Sequence, residues 1–152
     1  MIGVRFSAQA MLLCLSTGLA ACHGGGRDGT SIPGDRSDTQ PYQGISEQEE
    51  LRFRGTEPFW GGEILGNEMT WRTPGRPEGQ RFTVSRFNGR GGFSYSGKID
   101  GVAFTMAVTP GRCSDGMSDR VYPYGVTLLR GEEKLDGCAW SKSRPFTRPA
   151  AP

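Results

Sequence analysis

The sequence predicts an all-β fold, a small antiparallel meander closing into a barrel of about seven or eight strands and held by one disulfide. Three observations predict it. The chain is dense in turn formers, with 24 glycines and 10 prolines in 152 residues. Apolar and polar residues alternate over short stretches, and two-residue turn signals join those stretches.

The elements follow in order. "FWGGEIL" and "EMTW" are separated by Gly66-Asn67, and "FTVSRF" and "FSYSGKI" flank "NGRGG". The clearest alternation puts Phe93, Tyr95, Gly97 and Ile99 on one face and Ser94, Ser96 and Lys98 on the other. Asp100-Gly101 supplies the positive φ angles of a tight hairpin and leads into Val102, Phe104, Met106 and Val108, again on one face. Tyr122, Tyr124, Val126 and Leu128 form the next strand; a turn at "RGEEK" and a last strand, "LDGCAW", complete the barrel domain, assigned to residues 49–148. The inward set of Phe82, Phe93, Tyr95, Phe104 and Met106 favours a filled interior.

The N-terminus reads differently. Residues 1–21 carry an early positive charge at Arg5, an apolar run too short to span a bilayer, and then small residues, the layout of a secretory signal. Leu19-Ala20-Ala21-Cys22 resembles the bacterial lipobox. That resemblance implies that Cys22 becomes the mature N-terminus and carries acyl chains, which anchor stably when there is more than one. His23 rather than Asp after the cysteine implies the outer membrane, with the protein facing the periplasm. Residues 22–48 are rich in Gly, Ser, Asp, Thr, Gln and Pro, with Ile32, Tyr42 and Ile45 as the sizeable apolar residues, and read as a flexible tether. A coil of about 25 residues spans roughly 25 to 30 Å, enough to hold a small domain off a membrane.

With Cys14 in the leader and Cys22 taken by lipid, Cys113 and Cys138 remain as an even pair in an oxidising compartment, and a disulfide between them is expected. The single histidine, His23, sits beside the anchor, so the domain has no Ser-His-Asp or Cys-His arrangement and lacks the usual zinc ligands. Glu57, Glu63, Asp115 and Asp119 are the carboxylates that remain for acid and base roles. The reading is of a protein without turnover, cofactor or metal. Formal net charge is +2 and there is no basic run, which argues against nucleic acid.

Two stretches stand out as a candidate binding surface. In "GRCSDGMSDRVYPYG", Asp115 to Asp119 fit an irregular turn held by side-chain bonds to backbone N–H groups better than an EF-hand spacing, and Met117 fits as a plug in the barrel end. In "EPFW", two fates are open to Phe59 and Trp60: core and rim of a strand, or a docking surface at a barrel mouth. Tyr122 and Tyr124 pose the same choice, with alternation favouring a buried face. Glu57 and Arg120 complete the candidate set as a prospective ion pair.

Together, "RGTEPFWGGEI" (54–64), "CSDGMSDRVYPYGVTL" (113–128) and "LDGCAW" (135–140) resemble a family of small, functionally uncharacterised bacterial envelope lipoproteins. The resemblance covers most of the folded part and implies an extracytoplasmic β domain, with no reaction. In size and address the chain is similar to META-domain proteins and to lipid-anchored inhibitors of c-type lysozyme. The inhibitors' pattern of spaced Ser, Tyr and Trp followed by Lys-Gly is not recognisable here. The expected function is therefore binding or structural work in the cell envelope, with an unidentified envelope protein as partner. The alternatives are inhibition of an envelope-attacking enzyme such as lysozyme, and carriage of a small hydrophobic ligand inside the barrel.

Overall fold

A computed structural model describes residues 39–148 of the chain. All of its regular structure is β: β1 (Leu51–Gly55), β2 (Trp60–Leu65), β3 (Glu68–Thr73), β4 (Arg76–Thr83), β5 (Ser85–Gly89), β6 (Gly92–Ile99), β7 (Val102–Cys113), β8 (Tyr122–Arg130) and β9 (Glu133–Ser141). Every pairing is antiparallel, in the order β4-β3-β2-β1-β9-β8-β7-β6-β5. That order is a meander joined end to start: each neighbour is consecutive in the chain except β1 and β9. The two sheet edges, β4 and β5, are themselves consecutive, so the sheet curls into a half-barrel whose seam lies between them. Phe82 of β4 reaches Phe104 of β7 at 5.7 Å between ring centroids, edge to face.

The turns follow their residues. Asp100 and Gly101 have φ of 51° and 80°, both positive as a type I′ turn needs, between the paired Ile99 and Val102. Gly66, with φ of 58°, opens the two-residue turn between β2 and β3.

The alternation predicted for β6, β7 and β8 holds in the structure. Phe93, Tyr95, Ile99, Phe104, Met106, Val108, Tyr124, Val126 and Leu128 are all buried in one cluster. Val102, expected on the same face, is exposed at the hairpin end. Phe53, Trp60 and Trp71 pack together, with the two tryptophan rings stacked at 5.1 Å. Burying rings of this size dominates the energetics of a small core, and stacked or edge-on pairs add about 1 kcal/mol each.

Three details differ from the sequence reading. The described residues form nine strands, because "LRFRG" forms β1 and the run "FTVSRF" breaks at Val84, whose N–H donates to the Asn67 carbonyl at 2.8 Å instead of continuing a ladder. The expected tether boundary at Gln48 lies too late. Tyr42 stacks on Phe93 at 5.9 Å and Ile45 is 3% exposed within the main cluster, so the domain begins before residue 49. Two apolar side chains suffice there because Arg86 holds the segment, donating to the Ile45 carbonyl at 2.9 Å. Cys22, its leader and the first part of the tether lie outside the described residues. Among the described residues no helix is long and apolar enough to cross a membrane.

Candidate functional site

The expected disulfide is present: Cys113 at the end of β7 is bonded to Cys138 of β9, with Cα atoms 5.7 Å apart. It spans β8, and a register shift between Pro110 and Cys113 turns the end of β7 toward it. A closed loop of this length stabilises the fold by roughly 3 to 4 kcal/mol in the chain-entropy account. The disulfide fixes the base of the loop 114–121.

Asp115 organises that loop from within. The residue is 8% exposed. Its Oδ1 accepts from the N–H groups of Met117 at 3.1 Å and Ser118 at 2.8 Å, and its Oδ2 from the Ser118 hydroxyl at 2.9 Å and the Tyr122 hydroxyl at 3.0 Å. Burial alone pushes the carboxyl pKa up; the Ser118 and Met117 N–H groups, with the two hydroxyls, outweigh it and hold Asp115 at about 2. The turn reading of this stretch is the one the structure bears out. Gly116, with φ of 68°, takes the left-handed conformation the turn requires.

The second motif meets the first. The Thr56 hydroxyl donates to the Asp115 carbonyl at 3.3 Å, joining the β1–β2 turn to the loop. In that turn Glu57 is exposed with φ of 57°, a conformation that costs a non-glycine residue of order 1 kcal/mol, and its bond to Pro58 is cis. Phe59 follows, 48% exposed, and then Trp60, 5% exposed, turns inward. Of the two fates open to "EPFW", the rings take the first: Trp60 is core and Phe59 is rim. A Cβ on Gly55 would come within 2.1 Å of the Trp60 indole nitrogen, so the ring's place depends on that glycine. The indole N–H is buried with no hydrogen-bond partner among the described residues.

Other candidates are placed as follows. Met117 is 64% exposed, so it does not plug the barrel end; its loop turns it outward because Asp115 takes the inward position. Asp119 is exposed. Arg120 does not pair with Glu57: its guanidinium lies 4.5 Å from the Phe146 ring centroid, a cation–π contact. Tyr122 is buried in a satellite cluster with Trp140 and Phe146, at 5.4 Å and 5.5 Å. Tyr124 is buried in the main core, its hydroxyl 3.0 Å from that of Tyr42; burial first, and the Tyr42 hydroxyl second, raise its pKa. Among the carboxylates weighed for chemistry, Glu63 is tied by both oxygens to Arg72, whose hydrogen bond lowers its pKa, and Asp115 is consumed by the turn.

Sequence reasoning missed Arg54 and Trp140. Arg54 lies on β1 between inward Phe53 and Gly55, so it projects outward, flanked across the ladder by Gly61 and Cys138. The signal was available in "LRFRG", where Leu51, Phe53 and Gly55 alternate with two arginines. Arg54 lines two adjoining grooves. One, of about 350 Å³, has walls from Phe59, Trp60, Pro74 and Trp140, with Arg72 and Gly61. The other, about 250 Å³, runs along Thr56, Cys113, Ser114, Asp115 and Asp136.

No family model, no curated protein and no solved structure matches this chain.

Proposed function

We propose that this is a lipid-anchored periplasmic lipoprotein, held on the outer membrane through Cys22, whose barrel binds an envelope partner without turnover. The observation that carries the binding reading is the Thr56–Asp115 hydrogen bond, which joins the "EPFW" turn to the disulfide-clasped loop. The joined face is rigid at its base and apolar at its tips, where Phe59 and Met117 are exposed. Interfaces of this kind use a few exposed anchors on a fixed support. The engagement of Glu63 and Asp115, two of the four carboxylates open to acid and base roles, in structural bonds supports the absence of turnover. The ring-filled interior supports binding on the outside rather than carriage of a ligand within. The lipobox resemblance supports the anchor.

A photo-crosslinking side chain in place of Phe59, in living cells, tests both parts together. Discrete adducts are expected from the anchored protein, and Cys22→Ala is expected to release the protein from membranes and abolish them. A protein that stays membrane-bound after Cys22→Ala contradicts the anchor, and an absence of adducts from the anchored protein contradicts the binding face.

A further inference from the structure

Five arginines among the described residues are half-buried: Arg54, Arg72, Arg86, Arg120 and Arg130. Four of them are engaged. Arg72 is held by Glu63, Arg86 by Asn88, Tyr95 and the Ile45 carbonyl, Arg120 by the Phe146 ring, and Arg130 pairs with Glu133. Arg54 has no hydrogen-bond or ion-pair partner for its guanidinium among the described residues. Its cross-strand neighbours explain this: Gly61 offers no side chain, and Cys138 is committed to the disulfide. A partly desolvated guanidinium with its five donors unused is costly unless something else accepts from it.

The groove it lines limits what that acceptor can be. Phe59 and Trp140 present aromatic surface, Pro74 adds an apolar edge, and Gly61 leaves the floor open. At about 350 Å³ the groove is within the range of small-ligand sites. The second arginine there, Arg72, is already neutralised by Glu63, so one positive charge is available. A single planar guanidinium beside aromatic walls matches a singly charged, planar, bidentate acceptor attached to an apolar or aromatic body. A phosphate monoester, with up to two charges, would call for more donors than the groove supplies. The larger groove beside it, lined by Glu50, Arg52, Leu65 and Phe146, carries no such argument because Arg52 is already paired with Glu50.

Resting on the proposal that this face binds an envelope partner, we infer that the groove over Arg54 is a carboxylate site: it takes a group of that partner in which a carboxylate is joined to an aromatic or apolar body, the carboxylate on Arg54 and the body between Phe59 and Trp140.

The test uses the full mature lipoprotein in lipid nanodiscs, with empty nanodiscs as the blank, and titration calorimetry of three water-soluble probes: 3-phenylpropionate, 3-phenylpropanamide and phenyl phosphate. Saturable binding of 3-phenylpropionate is expected, about tenfold or more tighter than the amide, since a charge-assisted pair is lost in the amide. Arg54→Gln is expected to remove that preference without changing the thermal unfolding temperature, Arg54→Lys to retain part of it, and Phe59→Ala to weaken both probes together. Equal binding of acid and amide, tighter binding of phenyl phosphate, no saturable binding of the acid, or a preference that survives Arg54→Gln would each overturn the inference. If the acid fails to bind while crosslinks from position 59 persist in cells, the ligand chemistry is wrong and the binding face stands.

Discussion

Arg86 and Arg54 are both half-buried strand arginines, one on edge strand β5 and one on interior strand β1, and their surroundings differ in kind. At the β5–β6 edge Arg86 donates to Asn88, Tyr95 and the Ile45 carbonyl and covers the Phe93 ring at 4.3 Å. These contacts tie β5 to β6, and the Ile45 bond fastens the segment before β1 to them. Around Arg54 the backbone is fastened just as firmly, by the disulfide, the Asp115 turn and the Thr56 bond, yet the guanidinium and the Phe59 and Met117 side chains are left available. A region that is rigid and saturated is structural; one that is rigid and unsaturated is organised for something outside the chain.

Removing the clasp gives the largest expected effect on that contrast. Cys113→Ser with Cys138→Ser should lower unfolding free energy by roughly 3 to 4 kcal/mol. In denaturant titration and hydrogen exchange, protection should fall most at residues 114–121 and little at 42–45. Equal loss in both regions would show that the disulfide does not act locally.

Next come the two arginines themselves. Arg86→Ala removes three hydrogen bonds and two cation–π contacts, and should cost about 2 to 3 kcal/mol with loss of order at Ile45. Arg54→Ala should stay within about 0.5 kcal/mol, because it breaks no bond inside the chain. Thermal unfolding of the two variants side by side measures the difference, and similar losses would show that both arginines are structural.

Asp115 gives a smaller effect with a pH signature. Its folded pKa of about 2 lies below the ordinary 3.8, so its contribution is fully present above 3.8 and is lost as pH falls through about 2. At neutral pH it amounts to roughly 2 kcal/mol. Asp115→Asn should lose about that much at pH 7 and flatten the stability profile between pH 4 and 2. An unchanged acid limb in the variant would assign the acid sensitivity to other carboxylates.

Much of the fold was legible because one residue in two carries the signal. Phe93 to Ile99 and Val102 to Val108 alternate cleanly, and Asp100-Gly101 has one natural geometry. The disulfide followed from a count of cysteines and an expected compartment. β1 is hard to read because "LRFRG" is short and the turn after it, "TEP", is not a two-residue hairpin signal. The break at Val84 was invisible because the alternation runs straight through it; the bend is set by a hydrogen bond to Asn67, across the sheet. Average composition places Tyr42 and Ile45 in the tether because it cannot register partners far along the chain: Gly89, Phe93 and Tyr124 for Tyr42, and Arg86 for Ile45. In the candidate site, "EPFW" and "CSDGMSD" were recognised separately, but their union depends on Thr56 meeting Asp115, 59 positions away. Arg54 was missed for the same reason: its lack of a partner is a property of Gly61 and Cys138.

The most direct measurement of the central claim is paired crosslinking in living cells from Met117 and Phe87. Phe87, on edge strand β5, is 70% exposed and Met117 is 64% exposed, so accessibility alone favours Phe87 or neither. With the same photoreactive side chain at each position, the binding face predicts discrete adducts from position 117 and background at 87. Adducts of equal yield from both, or from 87 alone, would contradict it.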